Sequence, residues 1–360
     1  MKLSSRETRR MELLILQLSA FDDDFLIFHP LILQEISQAE NPERPLLPAS
    51  RLSLDIMSDA DCLFNFRFKR DEIVRLTNCL QIPEVIITTM GRYKFLAVEA
   101  MCLVLRRLTW SCRWRDLLPM FGRSEGALSA VFTDVTGFLV TKWKQILYFD
   151  SGRIFPLLVQ FAGAIHAAGS PLDNCWGFVD GTLRPCARPS RHQRVVYNGH
   201  KRVHGLKYQG IITPDGLFSH FFGPYEGRRH DITVLRESKV EEITTEARNL
   251  GYYVYGDPAY RSRNGFISPY DSAALTPDQQ TFNQKMSSVR VAVEWGFGII
   301  LNQWRFLDCK REQKLLLSPI ANWYLTAVLL TNCQTCVRQG NEISDTFHLQ
   351  PPSLESYLHD

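Results

Sequence analysis

Three acidic residues stand in settings suited to chemistry. Asp180 closes the run Trp176-Gly177-Phe178-Val179, Asp257 follows Tyr252-Tyr253-Val254-Tyr255-Gly256, and Glu294 lies in the helical pattern Arg290-Val291-Ala292-Val293-Glu294-Trp295. Carboxylates at strand ends, where a sheet opens to solvent, are placed to hold hard divalent cations through oxygen. Two such cations roughly 3.5–4 Å apart activate a water and steady the leaving oxygen of a phosphodiester.

Taken one at a time, each residue has a plainer reading. Asp180-Gly181 and Asp257-Pro258 both fit turns. Glu294 follows Arg290 by one helical turn, which fits a surface ion pair of little energetic worth. Jointly the plain readings weaken. Both aspartates end apolar runs, and Val291, Ala292, Val293, Trp295 and Phe297 around Glu294 predict a half-buried acid that needs a partner or a cation. Gly296 and Gly298 weaken that helix by roughly 1 kcal/mol each relative to alanine. Their presence predicts that a strand or a nucleic-acid backbone comes close there.

The stretch from Thr182 to Pro214 carries Arg184, Arg188, Arg191, Arg194, Lys201, Arg202 and Lys207, with His192, His200 and His204, and no acidic residue. A charge run is usually a solvated face. A purely basic run directly after a candidate metal ligand reads instead as a surface that tracks phosphates. His200 and His204 are spaced for zinc on a helix, but no third ligand is near in sequence, so phosphate contact or strand-edge hydrogen bonding is the preferred reading.

These groups need elements to position them. The sequence predicts strands at Trp176–Val179 and Tyr252–Tyr255, a hairpin of Leu206–Thr213 and Leu217–Phe222 around Pro214-Asp215-Gly216, and a short helix over His230–Ser238. Thr276-Pro277-Asp278-Gln279 predicts a boxed helix start, with Phe282, Met286, Val289, Val293, Phe297 and Ile300 as its buried stripe. The order requires the first and last strands to pair in parallel, which sets Asp180 and Asp257 side by side. Upstream, Ile73, Leu76 and Leu80, then Phe95, Val98, Met101, Cys102 and Leu105, recur at helical spacing. Trp114–Phe121 closed by Gly122, followed by Ser124 capping a helix through Leu128, Val131, Phe132, Val135, Phe138 and Leu139, fits a helix-turn-helix. Arg106, Arg107, Arg113, Arg115 and Arg123 cluster there and tilt that reading toward DNA, with Arg123 the candidate contact.

The implied organisation is an extension over 1–60, a helical region over 61–150, a connecting helix over 151–170, an α/β core over 171–335 and a tail over 336–360. With 360 residues, 45% of them hydrophobic and 22% charged, the composition is that of a soluble globular chain, and the net charge of +3 alone does not indicate nucleic acid. No apolar run approaches the roughly 20 residues of a membrane span. Met1–Phe21 imitates a signal peptide, yet Gln17 and Ser19 interrupt it and no cleavage site follows, so an amphipathic helix is expected. Nine cysteines in so long a chain predict free thiols in an intracellular compartment. Cys333-Gln334-Thr335-Cys336 has no second pair at zinc spacing and reads as packing or surface thiols.

Gly177-x-x-Asp180-Gly181-Thr182, Tyr197-Asn198-Gly199-His200-Lys201, Gly227-Arg228-Arg229-His230-Asp231, Gly256-Asp257-Pro258-Ala259-Tyr260 and Arg290-Val291-x-Val293-Glu294-Trp295-x-Phe297-Gly298 resemble the PIF/Harbinger transposases and the domesticated nucleases derived from them. The resemblance extends from about Asp61 to Cys333. It implies an RNase H-like mixed-sheet core behind an all-α, helix-turn-helix-like region, with a DDE triad of Asp180, Asp257 and Glu294. It further implies magnesium or manganese as cofactor, double-stranded DNA with terminal inverted repeats as substrate, a Myb-like DNA-binding partner, a homo-oligomer on DNA and action in the nucleus. Asp231 is either a fourth ligand or the N-cap of the next helix. Its place before Ile232, Val234 and Leu235 favours the cap, and leaves Asp257 as the second catalytic acid. A DNA-binding protein that keeps this fold without cutting is the main rival reading. A phosphohydrolase of small substrates fits the long basic stretch poorly.

Overall fold

Pro214-Asp215-Gly216 reverses the chain as its residues predict, with Gly216 in the left-handed region at φ 79°. Thr213 Oγ1 donates to Asp215 Oδ1 (2.6 Å), and Asp215 pairs with Arg153 at 2.7 Å, so the turn is pinned from inside. The computed structural model describes Leu47 and residues 51–359. The helix expected over Met1–Phe21 lies outside the described residues.

Ahead of the sheet come α1 (Asp59–Phe66), α2 (Arg70–Cys79), the hairpin β1 (Val85–Ile87) and β2 (Lys94–Leu96), α3 (Ala97–Thr109), the short α4 (Leu118–Phe121), α5 (Glu125–Tyr148) and α6 (Ser151–Ala167). Then follow β3 (Cys175–Pro185), α7 (Gln193–Val196), β4 (Tyr197–Asn198), β5 (Val203–Ile212), β6 (Phe218–Glu226), α8 (Asp231–Glu237), α9 (Val240–Asn249), β7 (Tyr253–Tyr255) and β8 (Phe266–Ile267). The long α10 (Pro277–Gln303), α11 (Ile320–Arg338), α12 (Glu342–Phe347) and α13 (Leu354–Tyr357) complete the chain.

The fold is mixed α/β. In the main sheet β3 is central: it pairs antiparallel with β5 and parallel with β7, β6 and β4 take the far edge of β5, and β8 extends the sheet parallel to β7. The parallel pairing is the one the element order required. The first strand is longer than its apolar run, because β5 keeps pairing through Asp180↔Gly210 as far as Pro185↔Gly205. Asp180-Gly181 is therefore not a turn. A register shift at Cys175/Gly177 opposite β7 sends Trp176 and Val179 to one face of the sheet and Cys175 and Phe178 to the other, a spacing of three where an unbroken strand alternates by two.

Each face buries a separate core. Trp176, Val179, Ile211 and Val254 pack with α6, α8 and α9, while Phe178, Ile212, Phe218 and Tyr255 pack with α10 and α11. Thr276 caps α10 through Gln279 N–H (3.3 Å), and the Gln279 side chain accepts in return from Thr276 N–H (3.1 Å). That capping box and Pro277 at the start fix where the 27-residue helix begins.

Three readings need correction. Phe95 belongs to β2, not to α3, since Ile86↔Phe95 pairing claims its backbone. Residues 342–347 and 354–357 are helical and packed, with Phe347 stacked on Phe178 at 6.1 Å and Tyr357 buried, so the segment is no tail. The turn before α5 is as expected: Gly122 closes α4 in the left-handed region, Ser124 caps α5, and Leu128, Val131, Phe132, Val135 and Leu139 form its core face against α3, α11 and β6. The third correction concerns the paired glycines of α10. A Cβ on Gly296 would meet Phe218 at 3.0 Å and Ile212 at 3.1 Å, whereas one on Gly298 meets nothing within 4 Å.

All nine cysteines are free, and the Cys333/Cys336 pair is buried in α11, where burial raises both thiols. Among the described residues no helix is long and apolar enough to cross a membrane.

The glycine contrast is testable. Gly298→Ala is expected to stabilise the protein by about 0.5–1 kcal/mol through helix propensity alone. Gly296→Ala is expected to lose about 1–3 kcal/mol to overpacking. Urea denaturation of both variants checks the order, and a Gly296→Ala protein as stable as Gly298→Ala would refute the close packing of α10 on the sheet.

Candidate active site

The parallel register Phe178↔Tyr255 decides where the first two acids emerge. Asp180 and Asp257 each lie two residues beyond that pair, so both leave the sheet at one level on neighbouring strands. Asp180 points to the α10 side, and its Oδ1 accepts from Gly181 N–H at 2.8 Å. Asp257 accepts from Ala259 N–H at 3.0 Å and is the N-cap of the Pro258–Tyr260 turn.

Asp231 is not a cap. His230 holds that position without a side-chain bond, and Asp231 opens α8 as its first residue. Its carboxylate accepts from Lys207 Nζ at 2.9 Å and lies 3.2 Å from where a Gly181 Cβ would stand. The capping role expected of Asp231 thus falls to Asp257, and Asp231 faces the other acids.

Glu294 departs from expectation in another way. Despite its apolar neighbours its side chain is 55% exposed. Helical geometry turns it to solvent while Val293 and Phe297 face the core. Its partner is Arg290, whose Nη2 donates to Glu294 Oε1 at 3.1 Å and whose Nη1 lies 3.7 Å from Asp180 Oδ2. The guanidinium thereby bridges two of the three acids singled out from the sequence. Among the described residues no three acidic, histidine or cysteine side chains stand close enough to hold one metal ion in this arrangement.

The electrostatics are those of a crowded acidic pocket. Burial pushes the Asp180 carboxyl up to about 6, with Asp257 and Glu294 adding to the rise and the Gly181 N–H and Arg290 opposing it. Asp257 is raised by burial and by Asp231, against the Ala259 N–H. Tyr260 is buried, its hydroxyl has no hydrogen-bond partner, and Asp180, Asp231 and Asp257 all push its proton affinity further up. A divalent cation would favour the ionised form of the raised Asp180 and Asp257 carboxyls, so these oxygen donors fit a hard ion.

The basic stretch divides in two. Arg184 Nη2 donates to Thr182 Oγ1 at 2.6 Å, and Lys207 is spent on Asp231, its side chain 13% exposed. Arg188, Arg191, Arg194, Lys201 and Arg202 are exposed around α7 and β4. His200 lies between β4 and β5 and His204 within β5, so the pair shares no helix; the His204 ring lies tilted against Tyr197 at 5.2 Å. Arg123 is bound bidentately to Glu99 (2.8 and 2.7 Å) and lies over the Phe95 ring. Arg107 is buried between Trp114 and Phe306 and pairs with Glu312 at 3.2 Å.

Residues 179–332 match the family model of the DDE superfamily endonucleases. The match spans β3 to most of α11 and contains Asp180, Asp231, Asp257 and Glu294. It supports a DDE transposase-type nuclease, and domains of this type use divalent metal ions. No curated protein and no solved structure matches the chain. Sequence reasoning missed Arg290 and Tyr260. Arg290 was visible only as the helical neighbour of Glu294, and no sequence signal marks its reach to Asp180.

Stability should carry the imprint of the buried acid. Between the ordinary 3.8 and about 6, folded Asp180 holds its proton more tightly than the unfolded chain does. Stability therefore falls as pH rises through that window and stays lowered above it. In chelator at pH 7.5, Asp180→Asn is expected to be more stable than the wild type by about 1–2 kcal/mol, with no gain at pH 4. Urea titrations at the two pH values measure this, and an equal difference at both would contradict it.

Proposed function

We propose that the protein is a metal-dependent DNA endonuclease of the PIF/Harbinger type, built on an RNase H-like core and cutting at the ends of a mobile element. The observation that carries this reading is the level placement of Asp180 and Asp257 beside a helix bearing Glu294, inside the segment that resembles DDE endonucleases. The succession of an antiparallel meander and two parallel strands supports the fold assignment.

Asp180, Asp257 and Glu294 are the residues to hold magnesium or manganese, with Asp231 in reach of the same pocket. Bound there, the two ions supply an activated water and stabilisation of the leaving 3′ oxygen. Asp180 and Asp257 are held by main-chain N–H groups, which fixes their oxygens before any ion arrives. Glu294 rides on a helix seated by its buried stripe. The exposed Arg188, Arg191, Arg194, Lys201 and Arg202 carry the DNA backbone. In the full reading the freed 3′ hydroxyl is joined to target DNA, α4 and α5 help select the ends, a homo-oligomer assembles on double-stranded DNA with a Myb-like partner, and the protein acts in the nucleus. A DNA-binding descendant without cleavage is the second reading, favoured by Arg290 standing across two of the acids.

Two measurements bear on this. Purified protein is expected to nick plasmid DNA with manganese or magnesium and not in excess chelator. Asp257→Asn should abolish nicking and spare DNA binding, while Asp231→Asn, which loosens Lys207, should weaken it only partly. Chelator-resistant nicking, or an active Asp257→Asn, would refute the site. For binding, each exposed residue replaced among Arg188, Arg191, Arg194, Lys201 and Arg202 should lower the slope of log affinity against log salt by roughly 0.9. Replacing Arg184 should leave the slope nearly unchanged. A slope indifferent to all of them would mean that α7 and β4 form an ordinary solvated surface.

A further inference from the structure

Arg290 is the basic group that meets two of the acids, Asp180 and Glu294. It lies on α10 one turn before Glu294, its side chain is 21% exposed, and it is in electrostatic reach of Asp180, Asp257 and Tyr260. Its two ends are held unequally. Nη2 donates a hydrogen bond to Glu294 at 3.1 Å, but Nη1 is buried, has no hydrogen-bond partner and meets Asp180 only across 3.7 Å. An arginine cannot shed its proton to make room for another cation, so it can withdraw its charge only by rotating away. Lys207 differs, because it is seated on Asp231 by a direct 2.9 Å bond and leaves Asp180 alone.

We propose that Arg290 is a positioning residue that competes with divalent cations for Asp180 and Glu294. In the metal-free protein its guanidinium joins the two carboxylates, and an ion shared by them requires Nη1 to leave Asp180. The weak end of the bridge is the end that opens. Glu294 keeps Arg290 tethered through the helix, so the displaced guanidinium stays at the rim of the pocket, available to a phosphate. This inference rests on the nuclease reading of the site.

The test uses the full chain without DNA and titrates manganese calorimetrically into wild type, Arg290→Gln, Arg290→Lys and Asp180→Asn. Arg290→Gln should bind manganese more tightly, on the order of fivefold, as expected for removing a partly screened charge from the site. Arg290→Lys keeps the charge but cannot bridge, and should fall between glutamine and arginine. In chelator the glutamine variant should also unfold at lower urea than wild type, and saturating manganese should close that gap. If Asp180→Asn loses manganese binding while Arg290→Gln and Arg290→Lys bind no tighter than wild type, the competition is overturned and the metal site stands. If wild type binds no manganese, or binds it equally well without Asp180, the nuclease reading fails and takes this inference with it. Should the glutamine variant not fold, the lysine variant decides alone by the same criterion.

Discussion

A pair of backbone registers sets everything else in this molecule. β3 is held on one edge by β7 in parallel and on the other by β5 in antiparallel. The first pairing levels Asp180 with Asp257, and the second keeps the strand extended through the acid instead of letting Asp180-Gly181 turn. Without β5 the aspartate would sit in a loop with rotational freedom. With it, Asp180 is fixed to the α10 side and is deep enough to lose much of its hydration. The register shift at Cys175/Gly177 belongs to the same constraint, because it selects which side chains of β3 face which layer of helices.

From that placement follows an electrostatic debt. Asp180, Asp231, Asp257 and Glu294 lie in one region, and among the described residues Arg290 and Lys207 are the cations paired with them. The two cationic groups act differently. Lys207 is a point charge bonded to a single carboxylate, while the flat guanidinium of Arg290 spans two. Burial, with the neighbouring carboxylates adding to it, raises the proton affinity of Asp180 and Asp257, and the Tyr260 hydroxyl beside them is buried without a hydrogen-bond partner. A site optimised for stability would not be built so; one prepared for added positive charge would.

Much of this was legible from residue types. Thr276-Pro277-Asp278-Gln279 announces its helix because capping is local chemistry, and Pro214-Asp215-Gly216 announces its hairpin for the same reason. The parallel strand pair followed from element order. Errors arose where tertiary contacts decide. Asp231 yields its expected capping position to His230, while Asp257 caps the 3-10 turn that Asp257-Pro258 already suggested. Glu294 has apolar neighbours in sequence but not in space, since its helix turns them to the other side. Phe95 happened to match a helical period that begins two residues later. α11 left no periodic trace because it is buried nearly all round, so its polar residues Asn332, Gln334 and Thr335 are also inside.

The late helices have a bearing on how the chain reaches this state. Phe347 covers Phe178 on the central strand, Asn332 bonds the main chain of Phe218 and the hydroxyl of Tyr357, and Glu355 grips Arg75 through two 2.6 Å bonds. Contacts of such sequence separation close large loops, which slows folding. A chain emerging from the ribosome therefore shows the apolar back of β3, two residues from Asp180, until residues some 170 positions further on have been made. The cover of the strand that carries the first acid is thus completed only when the last helices pack.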